Sequence, residues 1–124
     1  MHKVINIPSN EAMFYTQYLT IMNPLFGANA LRGQEIGVLS LMYKLLDDMQ
    51  GSWEQKNMAL FNIANIRRMI MTVNISRAGW DNIMYSLRKK KFIIKDEEGI
   101  SSVNQVFIPE TKSVMLNFII NDNQ

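Results

Sequence analysis

The sequence predicts an α+β domain, mainly α, whose helices lead into a β-hairpin towards the C-terminus. Apolar residues recur at helical spacing in several stretches between Asn10 and Lys91, and two extended segments flank the acidic turn Asp96-Glu97-Glu98-Gly99. Hydrophobic residues make up 48% of the 124, enough to fill one core. One compact unit is therefore expected, built of a strand-helix extension over residues 1–30 and a main domain over residues 31–124.

Lys3 to Ile7 alternates apolar and polar residues up to Pro8 and reads as a short edge strand. Ser9 caps a helix running from Asn10 to Met22, in which Met13, Phe14, Tyr18, Leu19 and Met22 recur at helical spacing and Pro24 marks the stop. A second helix is expected from Gly33 to Met49. Ile36, Leu39, Met42, Tyr43 and Leu46 form its apolar stripe, Gln34, Glu35, Lys44, Asp47 and Asp48 lie off it, and Gly51 ends it. Residues 51 to 60 are mostly polar around Trp53 and read as a connection finishing in an extended piece near Met58 to Phe61. Asn62 caps a short helix from Ile63 to Met71, with Ile63, Ile66 and Ile70 inward and Arg67 and Arg68 outward. After the tight turn Thr72-Val73-Asn74, Ser76 caps a helix reaching about Lys91, with Trp80, Ile83, Met84 and Leu87 inside. Phe92 to Lys95 and Val103 to Ile108 follow as a hairpin. Ser113 to Ile120 is a further strand, expected to pair with the N-terminal one.

Composition narrows the function classes. Without cysteine there is neither a disulfide framework nor a thiolate metal site. His2, the single histidine, has no metal partner in view, and the glycines form no phosphate-cradling motif. Asp47 and Asp48, adjacent on a helix, point about 100° apart and make no acid-base pair. A non-enzymatic chain with no cofactor and no small-molecule substrate is expected. Met1 to Pro8 lacks the long apolar segment of a signal peptide, and no run of about eighteen apolar residues suits a spanning helix, so no membrane association is expected. The net charge of +2 is small for a duplex binder, which leaves the distribution of charge to decide.

The order helix, short helix, tight turn, longer helix, hairpin contains the stretch Ile75-Ser76-Arg77-Ala78-Gly79-Trp80-Asp81-Asn82, continuing to Leu87-Arg88-Lys89-Lys90-Lys91-Phe92-Ile93. This resembles the reading helix, basic run and wing of winged helix-turn-helix regulators and replication initiators, and is similar to the small winged-helix proteins of tailed bacteriophages. The resemblance covers residues 33 to 108. It implies a winged helix-turn-helix fold with a C-terminal β-hairpin wing behind the N-terminal strand-helix extension, in a dimeric, cytoplasmic or virion-borne regulator of transcription or replication.

In DNA-binding members the second helix of the motif enters the major groove with its first residues at the base edges. Carried onto this sequence, Ser76, Arg77, Ala78, Asp81 and Asn82 become the candidates, with Arg77 suited to guanine and Asn82 to adenine. Arg88, Lys89, Lys90 and Lys91 are candidates for holding phosphates, as are Arg67 and Arg68. The same cations also suit the negative end of a helix dipole. The acidic wing tip departs from the DNA-binding pattern, since carboxylates near phosphates cost affinity. A second reading therefore stands: a protein-interaction or structural module of a phage particle or other large assembly, docking through the helix of Phe14, Tyr15, Tyr18, Leu19 and Met22, either on a partner or on a second copy.

Overall fold

The computed structural model describes residues 11–109. Their elements are α1 (Glu11–Met22), a 3₁₀ segment (Asn23–Asn29), α2 (Gly33–Asp48), α3 (Trp53–Leu60), α4 (Ile63–Val73), α5 (Arg77–Lys89), β1 (Ile93–Lys95), β2 (Ser101–Val103) and a 3₁₀ turn (Gln105–Phe107). The protein is thus mainly helical with a small two-stranded antiparallel hairpin, an order compatible with a winged helix. The strands expected at Lys3 to Ile7 and Ser113 to Ile120, the Ser9 cap and His2 lie outside the described residues.

α1 lies against α2, and the aromatic residues that looked surplus in the sequence fill that contact. Phe14, Tyr15, Tyr18 and Leu19 are all buried, and the Tyr15 ring meets Tyr43 of α2 edge-on at 5.4 Å. Pro24 sits in the first turn of the 3₁₀ segment, where its missing N–H costs nothing. The return to α2 is fixed by Asn23, whose side chain accepts from the Leu31 amide at 2.7 Å and donates to the Leu31 carbonyl at 2.9 Å. α2 follows its expected stripe: Val38, Leu39, Met42, Tyr43 and Leu46 are buried and Ile36 is half-buried against them.

Residues 51 to 60 correct the expected extended connection, because they form α3. Ser52 Oγ accepts from the Gln55 amide at 3.1 Å, and Gln55 Oε1 accepts from the Ser52 amide at 3.0 Å. This reciprocal cap satisfies two helix-end donors and outweighs the polar composition. Asn57, buried on α3, then accepts a 2.8 Å hydrogen bond from the Val103 amide and donates to the Trp53 carbonyl at 2.9 Å. A side-chain amide on a helix thereby flanks β2 where a third strand would otherwise pair.

α4 has the expected Asn62 cap, with the Asn65 amide donating to Asn62 Oδ1 at 2.8 Å, but it runs to Val73 and ends on Asn74 in the left-handed conformation. Ile63 is a correction: the first helical residue after the cap, it faces solvent at 71% exposed, while Met69 takes the buried position beside half-buried Ile66 and Ile70. α5 buries Trp80, Ile83, Met84 and Leu87 as expected and stops at Lys89, with Lys91 at φ 70 turning the chain into β1.

The hairpin is real and its second strand is earlier and shorter than expected, with Ile93 opposite Val103, Ile94 opposite Ser102 and Lys95 opposite Ser101. Asn104 ends it. Its side chain accepts from the Val106 amide at 3.2 Å and donates to the Lys91 carbonyl at 2.9 Å, so the chain bends into a turn instead of extending to Ile108. That bend sets Phe107 against Phe92 at 4.4 Å, with Phe26 edge-on to both rings. The core is therefore one cluster running from α1 through α2 and α5 to the hairpin.

Candidate nucleic-acid interface

The two helices α4 and α5 and the turn between them place the predicted site residues. Ser76 Oγ accepts from the Gly79 amide at 3.0 Å, which fixes the first turn of α5 and occupies the hydroxyl as a cap. Gly79 fits this turn closely, since a Cβ there would lie 3.2 Å from Ser76 Oγ. With Trp80, Ile83, Met84 and Leu87 held in the core, helical geometry turns Ala78, Asn82, Tyr85 and Lys89 outward along one line. Tyr85 stands 66% exposed on that line. Among the described residues, no hydrogen bond or ion pair engages the side chains of Asn82, Tyr85 or Lys89. Arg77 is instead paired to Asp81 one turn on, Nε to Oδ1 at 3.3 Å. Both are largely exposed, so the pair adds little stability but leaves that edge of α5 nearly neutral.

Opposite this face, the chain entering α2 supplies the other wall of a groove of about 580 Å³. Asn29, Arg32 and Gln34 line one side, and Asn82, Tyr85 and Lys89 the other. At its base Lys90 Nζ donates to Glu35 Oε1 at 2.5 Å, with the two side chains 17% and 5% exposed. The same carboxylate accepts from the Arg32 amide at 3.0 Å. Burial pushes the Glu35 carboxyl up, but hydrogen bonds from Lys90, Ser86 and the Arg32 backbone outweigh it and hold the group below the usual range.

The basic run at the end of α5 is consequently divided. Lys89 stays on the outward face, Lys90 ties α5 to α2, and Arg88 and Lys91 turn towards β1. Arg67 and Arg68 lie on the exposed side of α4, lining a shallow hollow with Ala64, Met71 and Thr72. Of the predicted set, then, Ala78, Asn82 and Lys89 come together on one face, while Ser76, Arg77 and Lys90 are occupied within the fold.

Tyr85 and Arg32 join the face although neither was singled out from sequence. Tyr85 was within reach of that reasoning, because it falls seven residues after Ala78, two helical turns on and opposite the apolar stripe. Arg32 gave no such signal, since it arrives from another element. At the hairpin tip, Asp96 Oδ1 accepts from the amides of Glu98 and Ile100, both at 2.9 Å, and Gly99 adopts φ +80. Asp96 thus builds the turn, and Glu97 and Glu98 remain as exposed carboxylates.

Among the described residues there is no grouping of His, Asp or Glu suited to a metal ion, and no helix long and apolar enough to cross a membrane. The chain matches no protein-family model, no curated protein and no solved structure.

Proposed function

We propose that this is a winged helix-turn-helix DNA-binding protein, a regulator of transcription or replication, that lays α5 in the major groove. The observation that carries the reading is the uncommitted line Ala78, Asn82, Tyr85 and Lys89, the last three of which face Arg32 across an open groove while the opposite side of α5 is anchored in the core. Asn82 offers two hydrogen bonds to an adenine edge, Ala78 and Tyr85 offer apolar contact to a thymine methyl, and Lys89 and Arg32 hold phosphates. Arg67 and Arg68 on α4 suit a neighbouring stretch of backbone. The acidic hairpin tip stays clear of the duplex.

The rival reading, an assembly module docking through α1, rested on an aromatic face that α2 covers within this chain. What favours a protein contact is instead the exposed pair Ile63 and Met71 on α4, 71% and 81% exposed beside the two arginines. Fluorescence anisotropy of the full chain against random and AT-rich duplexes at two salt concentrations separates the two readings. DNA binding requires an affinity that falls steeply with salt and weakens several-fold in Lys89→Ala, with Asn82→Ala lowering sequence preference more than bulk affinity. No binding at low salt sinks the proposal.

A further inference from the structure

We propose that the groove beside α5 holds one unpaired nucleotide with its base against the Tyr85 ring, so that the protein prefers DNA in which a duplex borders an unpaired base. This rests on the DNA-binding reading and names the form of DNA that the same face takes. Tyr85 stands apart from the other aromatic residues. Between residues 11 and 109 every other Phe, Tyr or Trp side chain is buried or half-buried, whereas Tyr85 is 66% exposed. Its ring lines the groove of about 580 Å³ between α5 and the chain entering α2. An aromatic face in an open, positively charged groove is the platform on which unpaired bases stack.

The groove supplies the rest of a nucleotide's contacts. Lys90 and Glu35 at its base neutralise each other, which leaves Arg32 on one wall and Lys89 on the other as its net charge. Either cation suits a phosphate flanking the base. Asn29 and Gln34 on one wall and Asn82 on the other add amide side chains, none of which is engaged by a hydrogen bond among the described residues. An amide carries a donor and an acceptor side by side, as a Watson–Crick edge does, and only an unpaired base has that edge free. The shape points the same way. A helix in the major groove meets base edges with its convex side, and paired bases stay in the stack, so the hollow at Tyr85 is left unfilled by a continuous duplex. Its volume, about 580 Å³, falls among those of small-ligand sites, roughly 300–1,000 Å³. Unstacking costs least where a base has no partner, which favours a bulge over a base flipped out of a pair.

The test is fluorescence anisotropy of the full chain at low salt against three versions of one DNA: a blunt duplex, the duplex with a single unpaired base, and the bulged duplex with that base made abasic. The unpaired base should raise affinity on the order of tenfold, and the abasic residue should not. 2-Aminopurine at the unpaired position should be quenched on binding. In Tyr85→Leu, at an exposed position that leaves the core intact, the ratio of bulged to blunt affinity should fall towards one and the quenching should be lost. In Tyr85→Phe, which keeps the ring, both should persist. Equal affinity for blunt and bulged DNA overturns this inference and leaves the duplex reading standing. A preference that survives the abasic residue or Tyr85→Leu also overturns it, and so does a free deoxynucleoside monophosphate that binds as tightly as the bulged DNA. Binding to no DNA of the three removes both readings together. Binding to the bulged DNA alone retires the fully paired reading while this one stands.

Discussion

Glu35 does three things with one carboxylate. It closes the first turn of α2 through the Arg32 amide, receives Lys90 from the end of α5, and takes a hydrogen bond from Ser86. It is a positioning residue for the outward face of α5, because it fixes that helix against the groove wall. Removing its charge strands the Lys90 ammonium in a mostly buried place, so Glu35→Gln should cost about 3 kcal/mol in a urea titration. The pH dependence follows from the direction of its shift. A carboxyl held below its usual 4.5 contributes stability that is complete above that value and is lost as pH falls through the folded pKa. The wild-type midpoint should therefore drop on acidification below about 4.5. The Glu35→Gln midpoint should drop less, and parallel curves for the two proteins would show that the pair contributes nothing. As a charged residue Glu35 is expected off the apolar stripe of α2, yet on a helical wheel it falls in line with Leu39, Met42 and Leu46, and it is buried with them. Its partner, 55 positions away, gave no local signal.

At the scale of elements, what could be read was set by local chemistry. α5 announced itself through the Ser76 cap, the stripe of Trp80, Ile83, Met84 and Leu87 and the basic last turn, all of which act within a few residues. α3 carried an equally local signal, Ser52 followed three residues later by Gln55, but its composition is too polar to show a face. Its burial comes from Asn57 and Leu60 meeting elements distant in the chain. The second strand was misplaced for a related reason. Val103 to Ile108 has the right residue types for a strand, and only Asn104, bonded back to Lys91, reveals the bend. The candidate face shows the same division, with Asn82 and Lys89 readable from the motif and Arg32 supplied by tertiary packing. If the reciprocal cap is what makes α3 a helix, Ser52→Ala should destabilise the protein by about 1 kcal/mol. Amide exchange should quicken first at Gln55 and its neighbours, and uniform quickening across the chain would point elsewhere.

Among the described residues the buried apolar side chains form one core, and α1 decides whether that core is shared or merely leaned upon. Leu19 is fully buried among residues that also touch α2, while Trp80, the reporter on α5, belongs to the same cluster. A helix added to a finished domain could loosen without disturbing α5, whereas a helix that completes the core cannot. Leu19→Ala removes buried side-chain volume from the α1–α2 contact and should cost about 3 kcal/mol. Because α1 contains neither tryptophan, the fluorescence of Trp53 and Trp80 reports on the rest of the fold. In thermal unfolding of Leu19→Ala, tryptophan fluorescence and far-ultraviolet circular dichroism should shift together to one lower midpoint. A circular-dichroism loss that precedes an unshifted tryptophan transition would instead make α1 a separable attachment. The aromatic face between α1 and α2 would then again be a surface able to open towards another protein.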